Sequence, residues 1–165
     1  KILRDHGMNP KQRYWHDEVG YNYRLTNIQA SIGCAQLEQV DSFAKKRIKL
    51  YHWYNNFFKG CENIGVQFVR PGNISANWLY TVSLKGDFSK RRDELILFLK
   101  ARGIETRPIF YPMNEMPAFF DYIEKADFPV SRVISYSGIS LPTSLSLTKE
   151  EIKYIVDSVL NFFTK

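Results

Sequence analysis

From Thr26 to Gly60 the apolar residues recur at spacings of three, four or their sum, which places them on one face of a helix. Ile28, Ile32 and Ala35 open that face, and Val40, Ala44, Ile48, Tyr51 and Phe58 continue it. Thr26-x-x-Gln29 is a capping box: the Thr hydroxyl and the Gln side chain satisfy backbone N–H groups that a helix start leaves free. Gly60 supplies a stop. The run is long for one helix of a globular domain, so a break is expected near Gln39 to Ser42.

The elements after Gly60 must pack on that helix. Val66 to Val69 reads as a short strand, ended by Pro71 and Gly72. Trp78, Tyr80, Val82 and Leu84 alternate with Leu79, Thr81, Ser83 and Lys85, the period of a strand with one buried face. A helix is predicted from about Ser89 to Arg102, with Leu95, Phe98 and Leu99 inward and Gly103 after it. Ile104 to Thr106 reads as a third strand stopped by Pro108. Residues 108 to 128 carry Pro108, Pro112 and Pro117 among aromatics and read as an ordered loop. Val130 to Tyr136 reads as a short helix and Gly138 to Leu141 as a last strand. Thr148-x-x-Glu151 is a second capping box, opening a helix with Ile152, Ile155, Val156, Val159, Leu160 and Phe163 on one face. The order α-α-β-β-α-β-loop-α-β-α predicts an α+β fold, a small and mainly antiparallel sheet covered by helices. The domain division expected is 1–25, an irregular segment rich in polar and aromatic residues, and 26–165, the α+β domain.

The chain has 165 residues, 44% hydrophobic and 24% charged, enough for one domain with an apolar core. No apolar run approaches the ~20 residues of a membrane span, and no signal-peptide pattern opens the chain. Lys1 to Arg4 read like the middle of a helical phrase. The chain is therefore expected to be a truncated gene product, an engineered piece or a proteolytic fragment. The net charge of +6 favours anionic partners without choosing among them. Lys45-Lys46-Arg47 and Lys90-Arg91-Arg92 read as solvated helix faces, and nothing resembles an RNA-recognition pattern, so no nucleic-acid partner is expected. Cys34 and Cys61 are far apart and read as reduced thiols of a cytoplasmic protein. His6, His16 and His52 lack metal-ligand spacing.

No P-loop, GxGxxG, HExxH or GxSxG is present. Asp17, Glu18 and Glu115 have no evident partner and read as solvated carboxylates, so no catalytic residue is expected in this chain. One stretch does carry chemistry. Gly20-Tyr21-Asn22-Tyr23-Arg24-Leu25 sets an amide, two phenols and a guanidinium directly before a capped helix. Amide donors, a planar guanidinium fork and a helix N-terminus suit a phosphate. Equally, Tyr21 and Tyr23 can pack in the core while Asn22 caps a turn.

The stretch LRDHGMNPKQRYWHDEVGYNYRLTNIQASIGCAQLEQ resembles the DegT/DnrJ/EryC1/StrS family of sugar aminotransferases, and RYWHxxxGYNYRLTNIQA looks most like its perosamine-type members. Gly103-Ile104-Glu105-Thr106-Arg107-Pro108-Ile109-Phe110-Tyr111-Pro112 is similar to the family's GI-x-TRP-x-FYP stretch. SLPTSLSLTKEEIKYIVDSV is similar to its usual C-terminal ending.

The resemblance implies the C-terminal part of a fold type I enzyme, the aspartate aminotransferase-like class. Such enzymes hold pyridoxal 5′-phosphate (PLP) on a lysine of a large domain, and no residue here matches that lysine. It further implies a cytoplasmic homodimer that moves an amino group from glutamate to C4 of a nucleoside-diphospho-4-keto-6-deoxyhexose for surface polysaccharide (O-antigen, lipopolysaccharide) synthesis. Asn22 would reach across the dimer to the cofactor phosphate of the neighbouring subunit, flanked by Tyr21 and Arg24. The Arg107 to Asn114 loop would face the nucleotide-sugar substrate, with Arg107, Tyr111 and Asn114 as its contacts. Many relatives read PLH where this chain has Pro112-Met113-Asn114, so the imidazole is lost there. His16 and Trp15 either shape the site or pack at an interface. This chain alone is expected to be inactive; the alternative is a stand-alone remnant or dimerisation module without catalysis.

Overall fold

The computed structural model describes residues 2–120 and 127–164. The chain divides into two compact units, Lys1–Ser42 and Phe43–Lys165.

The first unit opens on turns rather than helix, so the helical phrase expected over Lys1 to Arg4 is absent from residues 2–4, while Lys1 lies outside the described residues. Backbone pairing makes up for missing regular structure. Asp5 pairs with Asn22 and Met8 with His16 across the segment. The Tyr21 and Tyr23 amides donate to the Leu3 and Arg4 carbonyls at 2.7 and 3.0 Å, and the His6 amide donates to the Tyr21 carbonyl at 3.0 Å. The two passes of chain meet at glycines. A Cβ on Gly20 would stand 1.9 Å from the Gly7 nitrogen, and one on Gly7 would stand 1.9 Å from the Glu18 carbonyl oxygen. Helix α1, Asn27–Leu37, comes next, with both halves of the capping box made at Thr26. The expected break falls at Glu38 and Gln39, and α2, Val40–Phe57, runs on towards Gly60 at φ +82°.

The second unit is a sheet with one apolar face. Strands β1 (Ile64–Val66), β2 (Tyr80–Leu84), β3 (Arg107–Pro108) and β4 (Gly138–Leu141) run antiparallel in the order β1-β2-β4-β3. Tyr80, Val82 and Leu84 are buried while Thr81 and Ser83 alternate on the other face, as the period-two pleat dictates. The apolar face is roofed by Leu50, Tyr54 and Phe58, by Leu95 and Leu99 of α3 (Arg92–Lys100), and by Ile152, Ile155, Val156 and Val159 of the C-terminal helix. Between them lies α4, Pro129–Ser137, with Ser135 and Ser137 buried; the C-terminal helix, α5, spans Lys149–Phe162 behind the Thr148 capping box.

Three boundaries differ from expectation for local reasons. The first strand is Ile64–Val66 rather than Val66 to Val69, because buried Ile64 is the anchoring side chain and Phe68 stays exposed. The third strand is Arg107–Pro108 rather than Ile104 to Thr106, and Pro108 lies within it. An edge strand tolerates proline because its outer side needs no N–H for the ladder. The third helix starts at Arg92, after a 3-10 turn over Gly86–Lys90. Of the loop expected over 108–128, Met113–Glu115 and Pro117–Phe119 form short 3-10 turns, and 121–126 lie outside the described residues. The two basic clusters are only partly solvated. Arg47 donates to the Trp78 carbonyl at 3.1 Å, and Arg92, 6% exposed, donates to the Ser135 carbonyl at 2.8 Å.

Candidate functional site

The Gly20–Leu25 segment is held in the open, and its rings are not core. Tyr21 and Tyr23 are 54% and 69% exposed and stack on each other, centroids 5.2 Å apart at 13°. The extended chain sends alternate residues to opposite sides. Arg24 therefore falls with Asn22 and forms an ion pair with Asp5, the backbone partner of Asn22. This fixes the guanidinium while leaving it 61% exposed. An exposed amide, a braced guanidinium and a phenol are a donor set that fits a phosphate oxygen cluster. Asp5 is the carboxylate such an anion must compete with.

His16 sits in the same unit. Its Nδ1 lies 2.8 Å from the His6 carbonyl oxygen. A carbonyl only accepts, so Nδ1 is the donor of this bond. Asp17, expected to be free, accepts from the Asn9 amide at 2.6 Å and from the Trp15 indole at 2.9 Å. The signal for both was a polar residue one or two positions from a chain crossing, which the spacing alone does not reveal.

The other candidates belong to the second unit. Arg107 is exposed on edge strand β3, opposite Ser140 in register, and Ser140 is opposite Thr81. Facing residues of an antiparallel ladder point to the same side, so Arg107, Ser140 and Thr81 share the sheet face away from the helices. Arg107 and Ser140 line one cavity of about 550 Å³. Tyr111 is elsewhere: its ring meets the Tyr136 ring edge-on at 5.8 Å, and Asn114 is half-buried in the 3-10 turn beyond it.

That turn is anchored by a group the sequence did not disclose. Glu115 is no solvated carboxylate; it accepts from Arg132 Nε and from the Tyr136 hydroxyl, both at 2.7 Å. Those bonds, the Arg132 one foremost, hold its carboxyl below the usual range, and the same bond to Glu115 raises the Tyr136 phenol. The partners lie 17 and 21 residues along the chain, too far for any local pattern to pair them. In the core, burial pushes the Tyr51 phenol up to about 12 and raises Tyr54 and Tyr80 as well. Tyr54 stacks on Tyr80 at 4.3 Å, and this aromatic pile is packing rather than chemistry.

Among the described residues no cluster of His, Cys, Asp or Glu could hold a metal, and no helix is long and apolar enough to cross a membrane. Both cysteines are free.

The comparisons with known proteins cover nearly the whole chain. The model of the DegT/DnrJ/EryC1/StrS aminotransferase family matches residues 1–160. The GDP-perosamine synthase of Vibrio cholerae is 37% identical over 161 residues, 98% of this chain and 44% of that protein. The GDP-perosamine synthase of Caulobacter vibrioides is 38% identical over 160 residues, 94% of this chain and 42% of that protein. Among solved structures, Helicobacter pylori PseC, an aminotransferase involved in pseudoaminic acid biosynthesis, aligns with a TM-score of 0.86 at 25% identity, covering 99% of this chain and 44% of its own. DesV from S. venezuelae, solved in complex with a ketimine intermediate, aligns with a TM-score of 0.77 at 28% identity over 99% of this chain and 43% of its own. The chain thus spans less than half the length of the relatives it matches, and its architecture is that of the C-terminal part of the PLP-dependent sugar aminotransferase fold. Over those matched residues, and with that fold, the chain belongs to the DegT/DnrJ/EryC1/StrS aminotransferase family.

Proposed function

We propose that this chain forms the C-terminal part of a PLP-dependent aminotransferase. The amino group passes from glutamate to C4 of a nucleoside-diphospho-4-keto-6-deoxyhexose of the perosamine type, in cytoplasmic synthesis of surface polysaccharide. The observation that carries the reading is end-to-end similarity to GDP-perosamine synthases, 37% identity over 98% of the chain, combined with an exposed, braced Tyr21-Asn22-Arg24 donor set.

In this reading Asn22 and Arg24 hold the cofactor phosphate of a neighbouring subunit, with Tyr21 against it, and His16 lies beside them. Arg107, Tyr111 and Asn114 orient the nucleotide sugar. PLP, when bound, supplies the electron sink for the transfer; this chain's part is binding and orientation. No residue of the chain matches the family's PLP-bearing lysine, so the 165 residues by themselves do not catalyse transfer. A phosphate grip that serves the other subunit makes the assembly a homodimer.

The test is a chimera. The chain replaces the matching 161 residues of the Vibrio cholerae GDP-perosamine synthase, and amino transfer from glutamate to the 4-keto sugar nucleotide is measured. Transfer by the chimera, its loss in Asn22→Ala, and no borohydride-fixed PLP on any lysine of the bare chain are the results expected. A chimera that folds and dimerises yet transfers nothing overturns the reading.

A further inference from the structure

Between Ile109 and Glu115 the chain lies against one face of α4. Arg132, Ser135 and Tyr136 stand three and four residues apart on that helix, so they share a face. Each holds the loop at a different point. The Ser135 hydroxyl donates to the Phe110 carbonyl at 2.9 Å. The Tyr136 ring meets Tyr111 edge-on, and its hydroxyl donates to one oxygen of Glu115 at 2.7 Å. Arg132 Nε donates to the other oxygen of that carboxylate, also at 2.7 Å. At the end of the helix the Ile109 amide donates to the Gly138 carbonyl at 3.3 Å. A Cβ on Gly138 would stand 2.0 Å from Ile109 Cδ1, so this approach needs a glycine. The helix is itself pinned, since Arg92 of α3 donates to the Ser135 carbonyl at 2.8 Å.

Phe110, Tyr111 and Met113 are exposed. Core burial therefore contributes little to the shape of this loop, and its anchors to α4 carry it. Tyr136 joins two of them, with its ring at residue 111 and its hydroxyl at residue 115. Asn114 sits in the turn between. The anchoring groups do not make a ligand seat of their own. Both oxygens of Glu115 are taken, and Arg132 also lies 3.6 Å from the Asp127 carboxylate. One guanidinium between two carboxylates repels an anionic substrate more than it attracts one. What the cluster can do for a substrate, it does through the loop.

We propose that Glu115, Arg132 and Tyr136 are positioning residues for the nucleotide sugar: they lock the Met113–Glu115 turn onto α4 and so fix where Tyr111 and Asn114 are presented. The proposal deepens the aminotransferase reading and rests on it for Tyr111 and Asn114 as substrate contacts. A loop held in its binding shape binds more tightly than one that visits that shape part of the time, by the ratio of the two populations. Arg132 is 52% exposed, and a pair this open to solvent shifts such a population only several-fold.

Two measurements test it. Amide exchange is read on the 165-residue chain, in which the Glu115 and Met116 amides donate to the Pro112 and Met113 carbonyls. Arg132→Met should speed exchange of both roughly fivefold, with the β4 amides unchanged, and Arg132→Lys should restore part of the protection. Kinetics are read on the chimera with the Vibrio cholerae synthase. There Arg132→Met should raise KM for the 4-keto sugar nucleotide roughly fivefold. KM for glutamate and kcat should stay within about twofold, and Arg132→Lys should recover part of the loss. A merely structural role would weaken both substrates alike. Unchanged exchange in Arg132→Met overturns the proposal, because the turn then holds without the ion pair. Faster exchange with an unchanged KM for the sugar nucleotide overturns it too, as does a rise shared equally with glutamate. An inert wild-type chimera overturns the aminotransferase reading and the substrate role with it; exchange alone then decides whether the cluster anchors the turn.

Discussion

Arg47, Arg92 and Arg107 carry the same charge into different work, and what separates them is the partner each meets. Arg47 and Arg92 end on backbone carbonyls and act as pins, whereas Arg107 faces a cavity. In the sequence, the first two stand inside basic runs that read as solvent-facing. Their carbonyl partners lie 31 and 43 residues away, which no helical spacing can announce. Glu115 shows the same limit and offers a measurable consequence. Its carboxyl is held below the ordinary range by Arg132 and then Tyr136. A depressed carboxyl contributes stability above its unfolded value and loses it as pH falls through the folded value. The ring signals of Tyr111 and Tyr136 should therefore stay in their packed positions through ordinary carboxylate titration and move only at more acid pH. Glu115→Gln should abolish that acid step, as read by NMR of the tyrosine rings. In the core, Tyr54 donates its hydroxyl to the Pro142 carbonyl at 2.8 Å. Tyr54→Phe should lower the unfolding free energy by about 1 kcal/mol with the ring stack intact, measured by urea titration.

Helices α1 and α5 begin with the same device and depend on it differently. Both Thr26 and Thr148 make complete capping boxes, and both were legible because a cap is a local pattern of four residues. Behind Thr148, α5 buries Ile152, Ile155, Val156, Val159 and Phe162; behind Thr26, no described residue of α1 is buried. A helix of 11 residues without tertiary packing is marginal in water. Thr148→Ala should thus cost about 1 kcal/mol of the second unit's stability and leave α5 folded. Thr26→Ala should instead fray α1 itself, seen as faster amide exchange over residues 27–37, with the second unit unchanged. Strand ends were less legible than helix caps. A two-residue edge strand such as Arg107–Pro108 is defined by its ladder to β4, not by any period of its own. The donor segment of the first unit depends on a contact of the same non-local kind. Gly20 has no room for a side chain beside Gly7. Gly20→Ala should push the two passes apart, exposing the Tyr21 and Tyr23 amides to exchange and loosening the Arg24–Asp5 pair, as hydrogen exchange of the intact chain would register.

For the whole chain, the apolar pattern that located the first helix correctly placed its inner face too early. Ile28 and Ile32 keep the spacing of a buried stripe, yet they are 75% and 60% exposed, and Val40 and Ile48 further along it are exposed too; of that stripe Phe58 reaches the core and Tyr51 packs against it, while the core takes Leu50 and Tyr54 from positions the pattern left out. Periodicity reports that a face will be covered, not by what. Burying one such side chain contributes roughly 1.5–3 kcal/mol, so Leu25, Ile28 and Ile32 together hold a substantial gain that the described residues leave unused. The proposed homodimer supplies one cover, and mass action makes it testable. The net charge of +6 opposes association at low salt, so sedimentation belongs at moderate ionic strength, where repulsion is screened and apolar contact is not. The bare chain should then show a concentration-dependent shift from monomer to dimer. Ile28→Lys with Ile32→Lys should return it to monomer while the unfolding of the second unit keeps its midpoint, because neither side chain packs in that core. A wild-type chain that stays monomeric across the micromolar range would leave the dimer, and with it the grip of Asn22 on a neighbour's phosphate, without this support.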